Sequence, residues 1–268
     1  MRFDSNLAWK DASSAIRTNR EVVFALAGVF FLIPNLALAM LFPAPEPAAG
    51  MDSEAMLAVI SDYYVSVLPV LVPTFLFQAA GTLALLTLLT DRSRPTVGEA
   101  IGSSVKGIVP YVLAQFILGI GIGLVGGAVV GLASATGLAA LAIVGLIAVG
   151  VVAIYALIKT SLVGPVIAVD GERNPVAALK RSWLLTKGNS ARIGVFYLLV
   201  FVAFFIVISV LVAVIGIVAS LVGGSHAGEV TGAVLSSALN AVVALYFVAI
   251  VAAVHRQLAG PSASGVFD

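Results

Sequence analysis

Long runs without a lysine or arginine separate the basic residues of this chain into clusters, and that alternation leaves few ways to fold it. The fourteen basic residues fall at Arg2 to Arg20, Arg92 to Lys106, Lys159 to Arg192, and Arg256. The runs between them are long enough to leave one face of a bilayer and return, since about 20 apolar residues of helix cover the hydrocarbon core. Each pair of crossings delivers the next basic cluster to the same side. Lys and Arg in short loops mark the cytoplasmic side, so both termini are expected inside. With 61% hydrophobic and only 10% charged residues, a soluble domain is excluded.

The expected architecture is all-α and polytopic, with six transmembrane helices in a single integral membrane domain covering 1–268. The first span is Val22 to Phe42, with Pro34 and Asn35 bending or fraying its outer end. Tyr63 to Thr90 holds the second, bent at Pro69 and Pro73. Ile108 to Leu132 and Gly137 to Leu157 form a hairpin around Ala133, Ser134, Ala135 and Thr136. Ile193 to Val222 and Thr231 to Val254 complete the set, joined by a loop at Gly223, Gly224, Ser225 and His226. Outer loops carry Glu46, Asp52, Glu54 and Glu229, with Asp62 near the outer boundary, and the longest is Pro43 to Ser61. The first twenty residues carry Asp4, Lys10, Asp11, Arg17 and Arg20, unlike a cleavable signal peptide, so the first span serves as its own targeting signal. Richness in Ala, Val and Gly points to a bacterial plasma membrane.

Pro175 to Lys187 reads as an amphipathic interfacial helix. Asn174 is an N-cap, Pro175 suits the first helical position, and Gly188 can take the left-handed turn that ends it. Val176, Leu179 and Trp183 share its apolar face, and Trp183 prefers the interfacial level. Thr96 and Glu99 spell a capping box before a stripe of Val97, Ile101 and Ser104 or Val105. Trp9, Ala12 and Ile16 repeat the spacing of Val176, Leu179 and Trp183, and Asp91, Arg94 and Pro95 echo Asp170, Arg173 and Pro175. This implies three repeats of an interfacial helix plus a hairpin, at 1–90, 91–169 and 170–268.

Candidate sites each admit a bland reading. Gly123, Gly127 and Gly131 recur every fourth residue and present a smooth face for helix packing, within the chain or between subunits; a flexible lining helix is the alternative. Gln78, Gln115 and Asn240 lie within spans and must find partners, either in interhelical hydrogen bonds or around one polar cavity. Lys159 sits at a span end, where it can snorkel to the interface. His226 and His255 fall on opposite sides, so no metal site is expected. No Gly-x-Ser-x-Gly elbow and no phosphate loop occurs, so no catalytic residues, no cofactor and no enzymatic activity are expected. Cysteine is absent, which removes thiolate chemistry, and a net charge of +1 offers no platform for nucleic acid.

The run from Pro165 through Asp170, Gly171, Glu172, Arg173, Asn174 and Pro175 to Leu179, Lys180, Arg181, Ser182, Trp183, Lys187, Gly188 and Asn189 resembles a segment of YciC-like bacterial inner-membrane proteins. It is similar also to the membrane domain fused to some glycerophosphodiester phosphodiesterases. The specific match covers about Pro165 to Ile193 and implies an inner-membrane location; the hydrolytic barrel of the fused proteins is absent here, so no catalytic residue carries over. Membrane phospholipids are the expected partners, with Arg173, Lys180, Arg181, Trp183 and Lys187 as head-group candidates. A second copy or another membrane protein is the further partner considered, and a small-molecule or lipid transporter or channel is the alternative function.

Overall fold

The computed structural model describes residues 2–45, 50–90 and 95–260, and all regular elements among them are helical. Glu46, Asp91, Arg92 and Arg94 lie outside the described residues. The helices are α1 (Ser5–Thr18), α2 (Arg20–Ala27), a π-helical turn (Gly28–Leu32), α3 (Ile33–Leu41), α4 (Ser53–Thr90), α5 (Val97–Ala135), α6 (Ala139–Thr160), α7 (Val163–Ala168), α8 (Pro175–Leu185) and α9 (Ser190–Ala259). Among the described residues, five helical stretches are long and apolar enough to cross a membrane, and many large apolar side chains on them are exposed. So much uncovered apolar surface belongs in lipid, and the chain is a helical membrane protein.

Local chemistry explains the irregularities. Pro34 has no N–H to donate back into the preceding turn, and the helix widens into the π-helical turn Gly28–Leu32 immediately before it, a common response to an interrupted ladder. At 70 residues α9 would be about 105 Å long if straight, far more than the ~40–45 Å of a whole bilayer. It is broken at Gly224, whose φ of 81° and ψ of 177° are open to glycine. The break falls on this one residue where a loop over Gly223 to His226 was expected, and helix resumes at once on either side. α4 begins earlier than expected: Asp52 accepts the Ala55 N–H at 2.7 Å as its cap, so 53–62, Asp62 included, is helix rather than loop.

Two compact units emerge, one from residues 1–18, 82–200 and 248–268, the other from 19–81 and 201–247. Neither coincides with a sequential third of the chain. All described Lys and Arg except Arg20 lie in the first. Its core is built on α7, where Val163, Val166 and Ile167 are buried, with Leu83, Leu85, Leu86, Ile193, Ile250 and Val254. Gly164 allows Leu86 to press on this short helix, since a Cβ there would lie 2.9 Å from Leu86 Cδ1. Within the second unit, Phe30 and Phe77 pack at 4.5 Å, and Gln78 Nε2 donates to Asn35 Oδ1 at 2.9 Å.

Three helix starts in the first unit share one design. Asp4 Oδ1 accepts from the N–H groups of Asn6 and Leu7, Thr96 and Glu99 close a full capping box, and Asn174 Oδ1 accepts from Val176 and Ala177. Four and eight residues beyond each cap lie Ala8 and Ala12, Ala100 and Ser104, and Ala178 and Ser182, all at most 2% exposed. The buried stripe is thus small residues in a register set by the cap. The apolar stripes read from sequence coincide with it only in part: Ala12, Ile16 and Ser104 are buried, whereas Trp9 is 41% exposed, Val105 60%, Val176 59% and Trp183 42%. The second of these elements is also not a separate interfacial helix, because α5 runs unbroken for 39 residues. α8 by contrast stops before Gly188, which takes a φ of 82°.

Candidate functional site

At the basic end of the first unit, α8 is fastened across the junction of α6 and α7. Ser182, fully buried, donates to the Lys159 carbonyl at 2.8 Å and accepts the Leu162 N–H at 3.1 Å. The buried Thr186 hydroxyl approaches the same carbonyl at 3.4 Å. α6 runs out at Thr160, where its carbonyls lose their own partners, and the hydroxyls of α8 serve that need. The small side chains at 178 and 182 let the helix come this close.

This docking buries Lys159. Rather than snorkelling to water, the side chain is only 3% exposed, with its ammonium 5.3 Å from the centre of the Trp183 ring and 5.7 Å from that of Tyr155. The two rings meet edge to face at 5.7 Å. Such cation–π contacts are worth about 0.5–2 kcal/mol. Among the described residues no carboxylate pairs with this ammonium.

Asp170 joins three parts of the chain. Its Oδ2 accepts from Arg181 Nε at 2.7 Å and faces His255 Nε2 at 3.3 Å. Burial pushes the Asp170 carboxyl up, but hydrogen bonding and charge attraction from His255, then from Arg181, outweigh it and hold the group below its ordinary value. A carboxyl depressed on folding stabilises the fold fully above its unfolded value, about 3.9, and loses that contribution as pH falls through the lower folded value. Acid titration of the purified protein in detergent should therefore show a loss of stability below about pH 4 that Asp170→Asn reduces. An unchanged acid limb would show that the contact contributes nothing. Next to His255, Arg256 donates to the Leu89 carbonyl at 3.0 Å, closing the end of α4.

The apolar face of α8 faces no protein core. Val176, Leu179, Trp183 and Leu184 close one end of an open groove of about 740 Å³ whose long walls are α5 and α6. Its lining is apolar apart from Lys180 and Thr160, and the Thr160 hydroxyl is already donated to the Ala156 carbonyl.

The head-group candidates now separate by partner. Arg181 is tied to Asp170. Arg173 lies against α5, its Nη1 3.1 Å from where a Gly107 Cβ would be. Lys180 and Lys187 are exposed and form no ion pair among the described residues. The three intramembrane amides do not share the groove: Gln78 bonds Asn35, Gln115 bonds Tyr111 on its own helix, and Asn240 is exposed. Gly123, Gly127 and Gly131 face open space, with nothing within 4 Å of an added Cβ. The α5–α6 contact instead uses Gly126 against Val149 and Gly145 against Val129 and Ala133.

Lys159, Asp170 and His255 were not singled out as a site by the sequence. Tyr155 and Lys159 are four apart on one helix, a spacing that puts them on the same face, but the pairing of Asp170 with a residue 85 positions away leaves no local trace. No curated protein and no solved structure matches the chain. Residues 8–258, from within α1 to within α9, nonetheless match the profile described as Domain of unknown function (DUF7847), and the chain belongs to that family.

Proposed function

We propose that this protein is a non-enzymatic, phospholipid-associated protein of the bacterial inner membrane, crossing it six times with its basic end and both termini in the cytoplasm. α9 then supplies two crossings, 190–223 and 225–259, turning at Gly224. The three capped helix starts would be three copies of one interfacial unit, and the resemblance to YciC-like proteins over 165–193 agrees with the location. Its role would be envelope organisation or the support of a membrane partner.

The observation that carries this reading is the division of labour on α8. One face, Ala178 and Ser182, is locked into protein, while the opposite apolar face is left open beside Lys180 and Lys187, whose charges no carboxylate neutralises among the described residues. A helix held this way presents apolar side chains to acyl chains and ammonium groups to phosphates. Transport through a polar cavity is less well supported, since two of its three lining candidates already have partners.

Replacing Lys180 and Lys187 together by glutamine should lower the retention of anionic phospholipid, read by native mass spectrometry from mild detergent. At about 1 kcal/mol per basic residue near the surface, the loss is on the order of tenfold or more. Arg181 is best left intact because its loss would also break the Asp170 contact. Equal retention by the two proteins would count against the proposal.

A further inference from the structure

The groove between α5 and α6 has a depth, a polarity and a charge that together select an occupant. It is lined on α5 from Ile117 to Val129 and on α6 from Ala148 to Thr160, so at ~1.5 Å per residue each wall is about 18 Å long. Half of a ~30 Å hydrocarbon core is about 15 Å. The groove is therefore about one leaflet deep, starting at the basic end.

Polarity is confined to that end. Among the described residues, Lys180 is the only charged one in the lining. Trp183, part of the wall, carries on its ring the ammonium of Lys159, which is 3% exposed and without a carboxylate or hydrogen-bond partner among the described residues. Ring faces are its only partners among those residues, and an anion at the groove mouth would add the opposite charge they lack. Farther in, Gly121 widens the trench: an added Cβ there meets nothing within 4 Å. A volume of about 740 Å³ falls in the range of small-molecule sites.

We infer that this groove holds one acyl chain of an anionic phospholipid drawn from the leaflet at the basic end, with its phosphate at Lys180 and beside Lys159. The inference rests on the lipid-associated reading and adds to it a defined site and a lipid class. A surface ring of basic residues would attract head groups without regard to chain position. The groove adds a chain site at a fixed depth.

The test uses Trp183 as reporter. The chain has two tryptophans, so Trp9→Phe leaves Trp183 alone. The full-length protein is placed in phosphatidylcholine nanodiscs containing a small fraction of either chain-brominated phosphatidylglycerol or equally brominated phosphatidylcholine, and quenching of Trp183 is measured. Brominated phosphatidylglycerol should quench several-fold more strongly. Gly121→Leu, whose Cβ would meet nothing within 4 Å, places a side chain in the trench and should abolish that excess, as should Ala153→Phe from the opposite wall; Lys180→Gln should reduce it. Equal quenching by the two lipids would overturn the anionic selection. Excess quenching that survives both filling variants would overturn the groove, and if the Lys180 and Lys187 double variant still loses retained lipid, the surface reading stands without it. A groove occupied by a second copy would appear as filling variants that dissociate a dimer while quenching stays unchanged, which also overturns the inference.

Discussion

Ser182→Ala should destabilise the protein by about 2–3 kcal/mol, although it removes one oxygen atom. The hydroxyl serves two backbone groups at once, the Lys159 carbonyl and the Leu162 N–H, at a fully buried position. A buried polar group left without a partner costs about 1–3 kcal/mol. The Leu162 N–H would bear that cost in full, while the carbonyl keeps the longer contact from Thr186. Thermal unfolding in detergent is the measurement, with proteolysis around Gly171 as a local readout of α8 release. Ser190→Ala provides the control: that hydroxyl bonds only the Thr186 carbonyl one turn earlier and should cost under about 0.5 kcal/mol. A Ser182 variant as stable as the control would show that α8 is held by other means.

Gly81→Ala should lower stability by about 2 kcal/mol, whereas Gly123→Ala should raise it by up to about 1 kcal/mol. Both glycines are helical, and alanine is intrinsically better in a helix by roughly 1 kcal/mol. At Gly81 the added methyl group would overlap Cβ and Cγ of Phe30, atoms near the backbone that cannot swing aside, and overpacking of this kind costs about 1–3 kcal/mol or more. At Gly123 nothing lies within 4 Å, so only the propensity gain remains. Comparing the two in one unfolding assay separates packing from propensity. A Gly123 variant that is clearly destabilised, or that changes the oligomeric state, would show that its open face is covered by a second molecule.

These contrasting glycines show where sequence reading stops. Spacing made Gly123, Gly127 and Gly131 a packing face, within the chain or between subunits, yet the approach of α5 to α6 within the chain uses Gly126 on α5 and Gly145 on α6. The periodicity was visible, but the rotation of the helix about its axis depends on what stands opposite. The same holds for α8. Its cap, its proline, its terminal glycine and its apolar stripe were legible, because each is a rule acting within one turn. Which stripe meets protein was not, since in a membrane the larger apolar side chains gain as much from lipid as from a neighbouring helix, and the smaller ones permit closer contact. The buried face is accordingly Ala178 and Ser182. The end of α8 was readable from Gly188, but the continuity of α5 through Pro110 was not, as proline in a long membrane helix bends the chain more often than it ends it.

The basic clusters and apolar runs by themselves dictated a helical membrane protein with helices long enough to cross a bilayer, and local signals marked the caps of α5 and α8, because bilayer thickness and helix capping act on contiguous residues. Packing alone decided that Lys159 is buried under Trp183, that Asp170 meets His255, and that a leaflet-deep groove opens between α5 and α6. The first two join residues 24 and 85 positions apart, and no rule acting within a single turn or a single span connects positions so distant.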